Sequence, residues 1–153
     1  MIYTEMTNRA MKLAYEAHHG QTDKSGLAYI FHPFHLAEQM DSEETVTVAL
    51  LHDVAEDTEY TLEDLRAMGF PESVTDALAL LTHDPSVPYL TYVERLKSNP
   101  IARAVKLADL THNSDLMRLP VVTEKDLERV KKYRKAMMIL KRRMRNYEDR
   151  SHV

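Results

Sequence analysis

Turn-forming residues are so scarce in this chain, three Gly and six Pro among 153 positions, that its backbone has few places to reverse. Ala, Leu, Met, Glu and Lys, which lose least on entering a helix, dominate between those places. The expectation is an all-α fold, with residues 1–153 forming a single domain large enough to bury one core without covalent staples. Met6, Ala10, Leu13, Ala14 and Ala17 recur at helical spacing and predict a helix over 4–18 that stops near Gly20.

Residues 21–31 contain Gly26 and lack helical periodicity, so they read as a loop, and Pro33 suits the first turn of a short helix reaching 40. His32 then sits at the mouth of that helix. Asp41 with Glu44 three residues on resembles an N-terminal capping pattern and predicts a helix from 45 to about 56. Thr61 with Asp64 marks a short helix ending at Gly69, and Pro71 opens another to about 82. Helices over 90–97 and 100–117 follow, the latter ended before Pro120. Thr123 and Asp126 begin a basic C-terminal helix, from about 123 to about 146. His83 and Asp84 beside Pro85 read as a turn. Met68, Met117, Met137, Met138 and Met144 read as core filler.

With no Cys in the chain, disulfides and thiolate metal sites are excluded, so any metal must be held by imidazole and carboxylate. Mn²⁺, Fe²⁺, Zn²⁺ and Mg²⁺ all suit such donors. The start, Met1-Ile2-Tyr3-Thr4-Glu5, has no basic and apolar signal pattern, and no run approaches the ~18 to 20 apolar residues of a membrane span, so a cytoplasmic protein without a membrane partner is expected. A formal net charge of -4 argues against general affinity for nucleic acid. Lys131, Lys132, Arg134, Lys135, Lys141, Arg142, Arg143 and Arg145 crowd the C-terminal part, where they read as the solvated face of a long helix. The sequence carries no signal of oligomeric state.

Three separate runs carry the chemistry. In Ala49-Leu50-Leu51-His52-Asp53-Val54-Ala55-Glu56-Asp57-Thr58 an apolar turn leads into an imidazole and three acids. On one helix His52 would lie beneath Glu56 and Asp53 beneath Asp57, offering two metal donors and two acid-base groups. Acids at a helix C-terminus are disfavoured by its dipole, so a cation should compensate; a solvated acidic helix end is the plainer reading. In Ala104-Val105-Lys106-Leu107-Ala108-Asp109-Leu110-Thr111-His112-Asn113 a polar stripe crosses an apolar helix, either as a buried hydrogen-bond network or as a site. The third run, from His18-His19-Gly20-Gln21 through Asp23-Lys24-Ser25-Gly26 to His32-Pro33, is a donor-rich loop that could hold an anion beside a metal. His32, His52, Asp53 and Asp109 together have the makings of one divalent-metal site.

The combination HxGQ…KSG…YIxHP, then ALLHDxxEDT, then KLADxxHN resembles the HD-domain hydrolases of the RelA/SpoT type over roughly residues 5–120, particularly the small alarmone hydrolases that remove the 3′-pyrophosphate from (p)ppGpp. That resemblance implies a compact multi-helix HD-domain fold and a metal-dependent hydrolase. It implies one divalent ion, Mn²⁺ favoured, on His32, His52, Asp53 and Asp109. By the same resemblance Glu56 and Asp57 orient and deprotonate water, Lys24 and Ser25 contact the nucleotide, and Asn113 lies near sugar and pyrophosphate, with a guanosine polyphosphate as favoured substrate.

Three arginines usual in that family are here Asp23, Leu110 and Asp115. Because arginine forks suit phosphate, their loss predicts a thinner anion clamp, with Lys106, Arg118, Arg95 or Lys97 as replacements. A nucleotide phosphomonoesterase and a non-catalytic metal-containing nucleotide sensor are the alternatives this raises.

Overall fold

The computed structural model describes residues 1–151, with side chains to residue 142. It is all-α: among the described residues there is no strand, only an isolated bridge between Thr22 and Ala28. None of the described helices is long and apolar enough to cross a membrane.

Helix α1 (Glu5–Ala17) opens on a reciprocal cap between Thr4 and Thr7 and turns Ala10 and Ala14 inward. The loop after it leads to α2 (Phe31–Glu38), whose first turn holds His32 and Pro33. Helix α3 (Glu43–Leu51) is buried on every side from Thr45 to Leu51, as a helix apolar all round must be. It is the central element, packed against α1, α2, α6 and α8. Burying Leu50 and Leu51 completely contributes about 1.5–3 kcal/mol each.

Two expectations about α3 are corrected. Its cap is Ser42 with Thr45, each side chain answering the other's backbone N–H, and Asp41 lies outside the helix. Nor does α3 run on to residue 56. It stops at Leu51, and a separate turn, α4 (Val54–Asp57), starts from Asp53 at φ -97, ψ -5. The cause is local: His52 Nδ1 lies 2.7 Å from the Ala49 carbonyl, occupying the acceptor that the next helical turn would use. Glu56 and Asp57 therefore stand in the first turn of a new helix and do not crowd the end of a long one.

Helix α5 (Leu62–Ala67) is capped by Thr61 and Asp64 as expected, and Gly69 at φ +89 carries the chain away from it. Helices α6 (Glu72–Leu81) and α7 (Tyr89–Leu96) follow, with 83 and 84 in the connection between them. Helix α8 (Pro100–Asn113) ends four residues earlier than expected. Asp115 turns its carboxylate to the Met117 N–H and caps a single 3₁₀ turn, Leu116–Arg118, so the chain breaks there. Helix α9 (Glu124–Ser151) lies along α7 and α8 with Val130, Ala136 and Leu140 buried.

Lys131, Lys132, Arg134, Lys135, Lys141 and Arg142 are exposed; the side chains of Arg143, Met144 and Arg145 lie outside the described residues. The methionines are not uniformly core: Met137 packs against it, whereas Met68, Met138 and above all Met117, 92% exposed, face solvent.

Candidate functional site

The first turn of α2, the α3–α4 junction and the middle of α8 meet at one buried point. His32 Nε2 lies 2.9 Å from Asp109 Oδ1 and 4.0 Å from Asp53 Oδ2. His52 Nε2 lies 2.9 Å from Asp53 Oδ2 and 3.5 Å from Asp109 Oδ1. His32, His52 and Asp109 can each turn one donor atom to within 4.8 Å of the others, and Asp53 closes the set through His52. All four sequence candidates are thus neighbours, brought from segments up to 77 residues apart.

Each donor is fixed from behind. His52 gives its Nδ1 proton to Ala49 O, leaving Nε2 with a lone pair; that nitrogen is out of solvent and has no hydrogen-bond partner among the described residues. His32 Nδ1 lies 2.7 Å from His112 Nδ1, and the two rings stack 5.0 Å apart. Burial, with Arg118, His32 and His35 nearby, pushes His112 down to about 4, so near neutrality it is uncharged, and one of the two facing Nδ1 atoms donates to the other. With the proton of that pair on His32 Nδ1, His32 Nε2 carries a lone pair, as a metal ligand must; with it on His112, His32 Nε2 donates to Asp109 Oδ1 at 2.9 Å. Lys106 Nζ holds Asp109 Oδ2 at 3.1 Å and Asn113 donates to Asp109 Oδ1 at 3.0 Å. The Tyr29 hydroxyl donates to Asp53 Oδ2.

Two imidazole Nε2 atoms face two carboxylates at 2.9 to 4.0 Å, and such a cluster is satisfied by a proton or a cation between its members. Burial opposes charge on His52, yet Asp53 and Asp109 outweigh it and push the imidazole well above its ordinary value. Burial likewise opposes ionisation of Asp109, but Lys106, with both imidazoles, holds its carboxyl well below the usual range. The donor set, two nitrogens and two oxygens without sulfur, fits a borderline or hard divalent ion.

The two remaining acids flank this point. Glu56 Oε1 accepts the His83 backbone N–H at 2.8 Å, so the second His-Asp dipeptide, a turn as expected, holds an acid of the site through its backbone. Burial, with Asp53 adding, raises both Glu56 and Asp57 above the ordinary carboxylate value. Such carboxylates are more basic than usual.

Lys24, Ser25 and Asn113 line a neighbouring cleft of about 280 Å³ together with Tyr29, Arg118 and Tyr133. Tyr29 and Asn113 connect the two, since each also bonds a carboxylate of the buried point. Ser25 Oγ is turned to the Arg118 carbonyl at 2.7 Å, so this hydroxyl fastens the loop wall.

The substituted arginine positions differ among themselves. Leu110 is 1% exposed in the core and does not face the cleft. Asp23 ties the loop by accepting the N–H groups of Ser25 and Leu27 and lies 3.6 Å from Arg118. Of the four proposed replacements only Arg118 lines the cleft; Lys106 is committed to Asp109, Lys97 pairs with Glu94, and Arg95 borders other depressions beside Leu90 and His83. Sequence reasoning missed Arg129 and Tyr133, which α9 brings to the cleft wall. Tyr133 shares the helical spacing of the buried Val130, Ala136 and Leu140, which could have marked it, whereas nothing local singles out Arg129.

No protein-family model matches the chain. It is 37% identical over 123 residues to a protein of Streptomyces coelicolor named GTP pyrophosphokinase, covering 72% of this chain and 14% of that one. It is 34% identical over 119 residues to the guanosine-3′,5′-bis(diphosphate) 3′-pyrophosphohydrolase of Spiroplasma citri, covering 69% of this chain and 16% of that one. The bifunctional (p)ppGpp synthase/hydrolase SpoT of Escherichia coli K12 is 34% identical over 120 residues, 69% of this chain and 17% of that one. The chain thus spans about a sixth of the length of these relatives. In fold it matches a solved structure, described as a metazoan ortholog of SpoT that hydrolyzes ppGpp, with TM-score 0.68, 20% identity and coverage of 96% of this chain and 98% of that one.

Proposed function

Because the chain belongs to the RelA/SpoT-type HD-hydrolase-like family, we propose that it is a metal-dependent phosphohydrolase that removes the 3′-pyrophosphate of a guanosine polyphosphate. The observation that carries this reading is the buried His52 Nε2, which makes no aligned hydrogen bond although Asp53 Oδ2 lies 2.9 Å and Asp109 Oδ1 3.5 Å away, with His32 Nε2 on the same Asp109 oxygen. His32, His52, Asp53 and Asp109 would hold one divalent ion, Mn²⁺ favoured, and residues 1–153 act as one such domain. Bound there, the ion supplies Lewis acidity toward a phosphoryl oxygen and lowers the pKa of water toward ~7.

The chain's own groups do the rest. Tyr29 aims Asp53, while Lys106 and Asn113 aim Asp109 and keep it ionised. Glu56, held by the His83 N–H, and Asp57 orient the attacking water and take its proton, a task for which their raised basicity suits them. Lys24 and Arg118 meet the phosphates from the cleft wall and Tyr133 offers an aromatic face, with Asn113 between cleft and metal.

The test is to strip the protein of metal, restore Mn²⁺ and supply ppGpp. Release of GDP and pyrophosphate is expected, and its absence would remove this substrate. Asp23 beside Arg118 offsets one cation of the cleft, which favours phosphomonoester hydrolysis of a less charged nucleotide as the second reading; orthophosphate as product would select it. Glu56→Gln with metal retained should lose hydrolysis, and a variant as active as the parent would refute the role given to this acid.

A further inference from the structure

Helix α4 is a single turn that cannot sustain itself, because the carbonyls of so short a helix have no partners further along it. Both of its ends are gripped by the loop that follows α1. At the start, the Tyr29 hydroxyl donates to Asp53. At the end, Gln21 Nε2 donates to the Asp57 carbonyl at 2.9 Å, across 36 residues of sequence. For its amide to donate there, Gln21 must present Oε1 on the other side, and His18 Nδ1 meets that oxygen at 2.8 Å. His18 is 2% exposed, and its ring packs 4.9 Å from that of Tyr29. Backbone bonds close the unit: Gln21 N–H donates to His18 O at 3.0 Å and Tyr29 N–H to Gln21 O at 2.9 Å.

We propose that His18 and Gln21 are positioning residues for Asp57: the buried imidazole sets the orientation of the Gln21 amide, and the amide fixes the end of α4 from which the Asp57 carboxylate projects. The HxGQ run thereby acquires a role separate from substrate contact. It braces one turn from both sides, so that the spacing between the carboxylates of Asp53 and Asp57 is set by a loop belonging to neither. This inference rests on the reading that Asp57 serves the reacting water.

The experiment compares the full chain with Gln21→Met, His18→Asn, His18→Phe and Asp57→Asn. Readouts are kcat and KM for Mn²⁺-dependent ppGpp hydrolysis, Mn²⁺ stoichiometry and Tm. Gln21→Met keeps length but not the donor, and should lower kcat by about 10- to 100-fold, as an ångström-scale misplacement does, with KM within about twofold and Mn²⁺ unchanged. His18→Asn retains a donor near the Nδ1 position and should stay close to the parent, whereas His18→Phe should behave like Gln21→Met. Should His18→Phe fail to fold, Gln21→Met and His18→Asn still decide. Loss of kcat accompanied by loss of metal or a collapse of Tm in Gln21→Met would show a merely structural role and overturn the inference. So would an unchanged kcat in Gln21→Met while Asp57→Asn is inactive. A fully active Asp57→Asn would instead overturn the reading of Asp57 itself.

Discussion

At the residue scale, the buried donors divide their labour so that the two imidazoles each spend one nitrogen on the protein. His52 spends Nδ1 on Ala49 O and His32 spends Nδ1 on His112. His52→Ala is therefore expected to abolish Mn²⁺ binding, read by metal stoichiometry, and with it hydrolysis. Glu56 and Asp57 make a prediction about pH. A base must be ionised to work, and burial raises both groups, so kcat should rise with pH along a limb lying above the ordinary carboxylate range. In Glu56→Gln any residual activity should lose part of that limb, as a pH profile at saturating substrate would reveal. His32, His52, Asp53 and Asp109 were legible as candidates because their motifs are distinctive. The partners that aim them, Tyr29 and His112, were legible only as letters in those motifs, since a hydrogen bond over 24 or 80 residues leaves no local periodicity.

At the element scale, apolar spacing and capping pairs foretold most helices to within a few residues, and the two failures share one cause. At 52–53 and at 113–115 a side chain competes for a backbone group, His52 for Ala49 O and Asp115 for the Met117 N–H, and splits what spacing alone reads as one helix. The cap of α3 was misplaced by one residue because Asp41 and Ser42 are both good caps and only geometry chooses between them. Ser42→Ala should cost about 1 kcal/mol in urea unfolding, whereas Asp41→Ala should change little. Of the residues read as the solvated face of α9, Lys131, Lys132, Arg134, Lys135, Lys141 and Arg142 are exposed; Arg129, outside that reading, is half-buried in the cleft wall with Tyr133.

At the scale of the whole molecule, an all-α expectation from composition met an all-α structure, because helix formers with few turn residues leave little alternative. The relation between the cleft and the buried point was not legible, since it depends on how the loop after α1 is laid across α4 and on where α9 returns. The buried point joins α2, the α3–α4 junction and α8, which touch one another through side chains that carry charge. An ion there would serve as a clasp as well as a reagent. At a hundredfold excess over its Kd it should add about 2.7 kcal/mol to the stability of the folded state. Chelation should accordingly quicken amide-hydrogen exchange in α2 and α8 together, though their nearest ligands are 77 residues apart, while α5, which contributes no ligand, keeps its protection.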